Sequence, residues 1–287
     1  MANTSFISKI AGKILTFTKP DYMDNKESID EFLSGRLKTD NNLAKGFFKS
    51  KMIGDVEVFD FGGEISDCAV IYIHGGAYVN EINLQHQIFC WYLARKTKVN
   101  VIAPVYPLAP KHDALETFDL ILRLYENLSD NYSKIILMGD SAGGGFALSF
   151  SQYLKNKNIK MPYKIIVFSP WVDISMSNPP YDSENDPILG EIGLKQIGKS
   201  WAGDLKCDDY RVSPLFGDMS SHPKTLIFAG ENEIFYRDIL KYVDKLKENG
   251  VDFRLITGEA MFHIYPLFPI PEAKGAFDEL ISEFQTD

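Results

Sequence analysis

The chain has 287 residues, 45% apolar and 24% charged, values that exclude a disordered, collagen-like or low-complexity polymer. Its formal charge of −9, without a long run of lysine or arginine, argues against nucleic acid and membrane as partners. The length suits one large domain rather than two independent ones, and Cys68, Cys90 and Cys207 lack C-x-x-C spacing, which leaves reduced thiols in a cytoplasmic protein as the expectation.

In the N-terminal stretch Phe6 to Phe17, the residues Ile7, Ile10, Ala11, Ile14 and Leu15 recur at helical spacing, and Lys9 and Lys13 interrupt the apolar run. An amphipathic helix is expected there rather than a secretion signal. No stretch approaches the ~18–20 apolar residues of a membrane span. Val56 to Phe59 reads as a strand before the Gly62-Gly63 turn, and Ala69 to Ile73 is a continuous apolar run. A run without alternation suits a strand covered on both faces, as in a parallel sheet. The pattern returns at Val99–Ala103, Ile135–Met138, Ile165–Phe168 and Leu226–Ala229, while Asp252 to Thr257 alternates as an edge strand would. Helical patterns intervene, among them Leu115 to Leu128 and the stripe Ile239, Leu240, Val243, Leu246 that stops at Gly250. Strand and helix alternating in this way predict a doubly wound, mostly parallel α/β sheet with its site at the carboxyl ends of the strands. Residues 171–215, with Pro179-Pro180, Pro187 and Pro214, break the rhythm. They are expected to pack with the N-terminal helices above the sheet.

Ile135–Met138 runs into Gly139-Asp140-Ser141-Ala142-Gly143-Gly144-Gly145 and then a helical stretch from Phe146 to Lys155. This is G-x-S-x-G between a buried strand and a helix, the setting in which the serine is exposed at a tight turn and serves as nucleophile. Its helix start aims the amide of Ala142 at an oxygen that becomes negative during attack. Ile73 leads into His74-Gly75-Gly76-Ala77-Tyr78, where bare backbone could supply further donors: Gly76 and its neighbours Gly75 and Ala77 are the candidates for the oxyanion hole, with Ala142. His74, at the strand end, is expected to buttress that loop. A serine needs a base, and of the five histidines only His263 follows the last candidate strand. The orienting acid should follow the preceding strand. Glu233 is the first choice there, with Glu231 and Asp238 as alternatives.

Together these residues resemble the α/β-hydrolase fold and, within it, the hormone-sensitive-lipase-like esterases. His74-Gly75-Gly76 is similar to that family's oxyanion motif, Tyr106-Pro107-Leu108-Ala109-Pro110-Lys111-His112 to its Y-R-L-A-P-E-H segment, and Gly139 to Gly144 to its G-D-S-A-G-G turn. Ser169-Pro170-Trp171-Val172-Asp173 and Ser213-Pro214-Leu215 match further landmarks. Ala77 stands where a third glycine is usual, Glu233-Ile234 at the usual D-P-L position, and Pro107 in place of an arginine. The resemblance implies a serine carboxylesterase that needs no cofactor or metal. It implies an N-terminal helical cap segment (1–50), a catalytic domain (51–287) with a cap insertion around 172–215, and pairing of two copies through a sheet edge. Asp173 is read as structural. Short-chain acyl esters are the expected substrates, because the cap is aromatic and modest in size, and emulsified lipid is disfavoured because no large exposed apolar lid is recognisable; amide cleavage or deacetylation by the same triad, or a non-catalytic binding role, are the alternatives.

Overall fold

The computed structural model describes residues 4–38, 48–63 and 67–285; residues 39–47 of the N-terminal segment lie outside the described residues. The strands are β1 (Ser50–Ile53), β2 (Val56–Asp60), β3 (Cys68–Ile73), β4 (Asn100–Pro104), β5 (Lys134–Asp140), β6 (Lys164–Phe168), β7 (Thr225–Gly230) and β8 (Phe253–Gly258). They form one sheet in the order β1-β2-β4-β3-β5-β6-β7-β8. β1, β2 and β4 pair antiparallel, and the remaining pairs are parallel. All the apolar runs read from the sequence are strands, and β8 is the expected edge. β1 was not anticipated, since Ser50-Lys51-Met52-Ile53 is short and half polar.

The helices are α1 (Phe6–Thr18), α2 (Lys26–Lys38), α3 (Leu84–Thr97), α4 (Ala114–Ser129), α5 (Ser141–Asn156), α6 (Glu191–Ala202), α7 (Tyr236–Glu248) and α8 (Pro271–Gln285). β5 shows why the central runs lack alternation. Its Ile135 and Leu137 join Phe118 of α4, Phe146 and Phe150 of α5 and Tyr242 of α7 in one core. Its Ile136 and Met138 join Phe89 and Leu93 of α3 and Ala276 and Leu280 of α8 in the other. With a helical layer on each face, both sets must be apolar, and each buried side chain contributes about 1.5–3 kcal/mol. Asp113 starts α4 by accepting the Leu115 N–H at 2.9 Å. Gly250, at φ +66, follows the end of α7, as its C-terminal stop predicted.

The order of the strands positions the site. From β3 the chain leaves through α3 to β4 on one side, then returns through α4 to β5 on the other. That reversal opens a crevice beyond the carboxyl ends of β3 and β5, where the two glycine-rich turns lie. Above it, α6 of the proline-rich excursion packs against α2 and the turn at Asp21–Met23. α1 lies against α8: the Ser5 N–H donates to Glu272 at 2.7 Å, and Ala11 and Leu15 face the core. Its other face points outward, with Phe17 92% and Phe6 77% exposed. The helix is amphipathic as expected, but its larger apolar side chains are on the outward face. Among the described residues, no helix is long and apolar enough to cross a membrane.

Candidate active site

Ser141 is the first residue of α5, immediately after β5, with φ +52. A side chain in that left-handed conformation is strained and persists only where its surroundings enforce it. Here the enforcement is close packing: a Cβ on Gly143 would stand 1.9 Å from the carbonyl oxygen of Ile73. Only glycine lets the new helix lie this close to the end of β3.

The Ser141 hydroxyl donates to His263 Nε2 at 2.9 Å. The opposite ring nitrogen, Nδ1, donates its hydrogen to Glu233 Oε2 at 3.1 Å. All three residues are buried, and the ring of Phe235 stands edge-on to the imidazole at 5.3 Å. The loops that carry base and acid are sewn together through backbone. Asn232 N–H donates to Met261 C=O at 2.9 Å, and Glu231 N–H to Gly258 C=O at 3.1 Å. Burial alone would lower the His263 pKa, but the hydrogen bond and negative charge of Glu233 outweigh it and hold the imidazole above its ordinary 6.5. Burial pushes the Glu233 carboxyl up, and the His263 N–H pulls it part of the way back.

The two alternative acids are elsewhere. Glu231 accepts the Ala260 N–H at 3.3 Å in an exposed position. Asp238 accepts from Asn178 Nδ2 at 3.0 Å and from the Tyr181 hydroxyl at 2.9 Å, which anchors the excursion to α7. Asp173 accepts the Ser177 N–H at 3.0 Å and the Ser175 N–H at 2.8 Å and so holds its own loop.

The oxyanion candidates need one correction. The Gly75 N–H donates to Asp140 Oδ1 at 2.9 Å, so it is committed within the fold and unavailable to a substrate. Gly76 and Ala77 remain on the wall of the Ser141 cleft, and Ala142 sits in the first turn of α5, where amides have no intrahelical partner. Gly76 has φ +114, and a Cβ there would stand 2.8 Å from the Asn80 carbonyl oxygen. Tyr78 locks the loop from below. Its hydroxyl donates to Ala142 C=O at 2.7 Å, and its ring stacks on Trp201 of α6 at 4.1 Å. His74 is a buttress: its ring lies on Tyr106 at 4.4 Å, Nδ1 meets Gly75 C=O at 2.6 Å, and burial drives its pKa down to about 3.

Three buried groups escaped the sequence reading. Asp140, one residue before the serine, accepts from the Tyr72 hydroxyl at 2.6 Å and from His86 Nε2 at 3.3 Å, besides Gly75. These donors hold its pKa below the ordinary value against the effect of burial. His86 thus reaches from α3 to the residue before Ser141. Asp186, in the excursion, accepts the backbone N–H of Ile188 at 2.8 Å, of Leu189 at 2.9 Å and of Ile234, next to Glu233, at 2.9 Å. Ser169 accepts the Ile264 N–H at 2.9 Å, next to His263. Of these, Asp140 and Ser169 lay inside motifs the sequence displays, but neither motif records what its side chain holds; Asp186 lay in none. The cleft over Ser141 holds about 180 Å³, and Tyr22, Met23, Ile188 and Leu189 supply its apolar wall.

Among known proteins, the alpha/beta hydrolase fold family matches residues 70–267. An esterase from Acinetobacter venetianus is 34% identical over 227 residues, which cover 76% of this chain and 74% of that protein. A triacylglycerol lipase from Mycobacterium tuberculosis is 29% identical over 68% of this chain, a stretch that spans 41% of the lipase. The crystal structure of an esterase from the bacterial hormone-sensitive lipase family superposes with a TM-score of 0.81 at 23% identity, over 100% of this chain and 99% of that one. The two share the fold.

Proposed function

This chain belongs to the alpha/beta hydrolase fold family and is a carboxylic ester hydrolase; from that premise we propose a serine esterase that works through an acyl-enzyme on short-chain esters. The observation that carries the proposal is the unbroken hydrogen-bonded line from Ser141 Oγ through the His263 ring to Glu233. With Nδ1–H committed to Glu233, Nε2 is the basic nitrogen and can accept the serine proton.

In the proposed cycle Ser141 Oγ attacks the ester carbonyl carbon as its proton passes to His263 Nε2. The carbonyl oxygen becomes an oxyanion, held by the amides of Gly76, Ala77 and Ala142. Each such donor contributes on the order of 3 kcal/mol. Collapse breaks the bond to the alcohol, which leaves with the proton from His263. Water then attacks the acyl-serine by the same route and releases the acid. Glu233 keeps the imidazole in one tautomer and faces the imidazolium while it exists. The small cleft supports acyl groups of a few carbons. α2, the Asp21–Met23 turn and α6 would act as the cap above it.

The test is labelling by a fluorophosphonate, followed by rates on p-nitrophenyl acetate, butyrate and palmitate and on p-nitroacetanilide. Rapid labelling at Ser141 and fastest turnover of the two short esters are expected. Ser141→Ala should lower kcat by at least about 10³-fold. No labelling, or hydrolysis that survives Ser141→Ala, would overturn the mechanism; preference for the amide or the palmitate would overturn the substrate class.

A further inference from the structure

α1 has its two faces the wrong way round for a helix that only fills a core. At 100° per residue, Phe6, Ile7, Ile10, Ile14 and Phe17 share an arc of about 100°, and all are exposed. Single exposed apolar residues are ordinary, but a contiguous patch of large ones marks an interaction surface. The helix cannot roll to bury that arc, because both ends are fixed. Ser5 and Ser8 bind Glu272 of α8 at one end. At the other, Lys19 donates to Ser183 C=O at 2.9 Å and pairs with Asp24 at 2.9 Å.

Charge identifies the occupant. Within Phe6–Thr18, Lys9 and Lys13 are the only ionisable residues, in a chain of net charge −9. Both are exposed, and helical geometry puts them along one margin of the apolar arc. Screening confines electrostatics to about 8–10 Å, so this local positive strip, not the distant net charge, governs what approaches α1. Large apolar side chains bordered by lysines match a lipid–water interface with anionic headgroups. α1 also leads directly into Pro20, Tyr22 and Met23, which line the Ser141 cleft.

We propose that α1 is an interfacial helix that seats this protein on an anionic lipid surface. Phe6, Ile7, Ile10, Ile14 and Phe17 enter the headgroup–acyl boundary, and Lys9 and Lys13 meet the lipid phosphates. Seated in this way, the mouth of the cleft faces esters dissolved in or leaving the lipid. That last benefit rests on the ester-hydrolase reading, but the docking itself does not.

Co-sedimentation with vesicles tests it, using both the wild type and Ser141→Ala so that hydrolysis plays no part. The vesicles are phosphatidylcholine alone or phosphatidylcholine mixed with phosphatidylglycerol. Both proteins should sediment with the mixed vesicles. The triple change Ile10→Ser, Ile14→Ser, Phe17→Ser should weaken partitioning by about tenfold or more, with unchanged turnover of a soluble ester as evidence of folding. Lys9→Glu with Lys13→Glu should remove the preference for mixed over neutral vesicles. The proposal fails if the wild type stays in the supernatant or if the triple variant sediments equally well. It fails too if light scattering finds a dimer that the triple change dissociates without any vesicle binding, since the face would then belong to a second copy.

Discussion

Glu233 has one methylene more than the aspartate that the family resemblance would place there, yet its Oε2 still reaches His263 Nδ1 at 3.1 Å. The longer arm is accommodated because Asp186 and Ser169 fix the backbone beside both partners. The charge of Glu233 is what raises the imidazole, and this sets a sign for the pH dependence. A base with a raised pKa stays protonated to higher pH, and an imidazolium cannot take the serine proton. The acid limb of kcat/KM on p-nitrophenyl acetate should therefore have its midpoint above pH 6.5. Glu233→Gln should move that limb to lower pH and reduce kcat on the order of 10³–10⁴-fold. A limb that stays in place would mean that Glu233 does not set the imidazole's charge. Asp140→Asn weakens the tether to the Gly75 amide, a charged hydrogen bond of about 1.5–3 kcal/mol. A loss of roughly tenfold or more in kcat/KM is expected, with fluorophosphonate labelling of Ser141 slowed in parallel. The three residues of the hydrogen-bonded line, Ser141, His263 and Glu233, could be picked out from the sequence because a local motif and chain order locate them. The ring of donors on Asp140 could not: Tyr72, Gly75 and His86 come from a strand, a turn and a helix, and nothing local records that they converge.

At the scale of elements, the joint between β5 and α5 is the least forgiving place in the fold. Gly143→Ala would force the helix away from the end of β3, since the added carbon meets a backbone carbonyl that no rotamer can move. Urea unfolding should show a loss of about 3 kcal/mol or more, the range of severe core and strain substitutions. Gly12→Ala in α1, where the same carbon meets nothing within 4 Å, should be neutral or slightly stabilising and serves as the control. Strands and their flanking helices were legible because burial on two faces writes an unbroken apolar run. α6 was not. Its twelve residues begin after a glycine in a proline-rich stretch, and its register is set by Trp201 meeting Tyr78, a contact 123 residues away in the chain. For α1, periodicity revealed the helix but not its orientation, because an apolar stripe reads alike whether it faces a core or a solvent.

For the molecule as a whole, two histidines shielded from water, His74 fully and His222 in part, make stability depend on pH. Burial lowers His74 to about 3 and His222 to about 4. Unfolding returns both to about 6.5, so below that value the unfolded chain binds protons that the folded chain refuses. Their contribution is complete above pH 6.5 and is lost as pH falls, at up to about 1.4 kcal/mol per pH unit for each group. His263, shifted upward, acts in the opposite sense. The melting temperature should therefore fall between pH 7 and pH 5, and less steeply in His222→Gln; parallel curves for the two proteins would refute this assignment. The doubly wound parallel sheet was foreseeable from alternating segments, though not that its order reverses at β3. The antiparallel addition of β1 was not, because its pairing partner, not its composition, makes it a strand.

Asp186 joins pieces of chain that are far apart in sequence, the excursion and the residue after Glu233, through three backbone hydrogens on a single carboxylate. A hinge at this point could swing only by breaking the hydrogen bond to Ile234, the residue beside the proposed acid. Opening the roof there would therefore remove a support from the backbone that carries the proposed acid. In the proposed cycle an ester would enter the cleft that Pro20 and Tyr22 line, and the width of that doorway would set which esters get in.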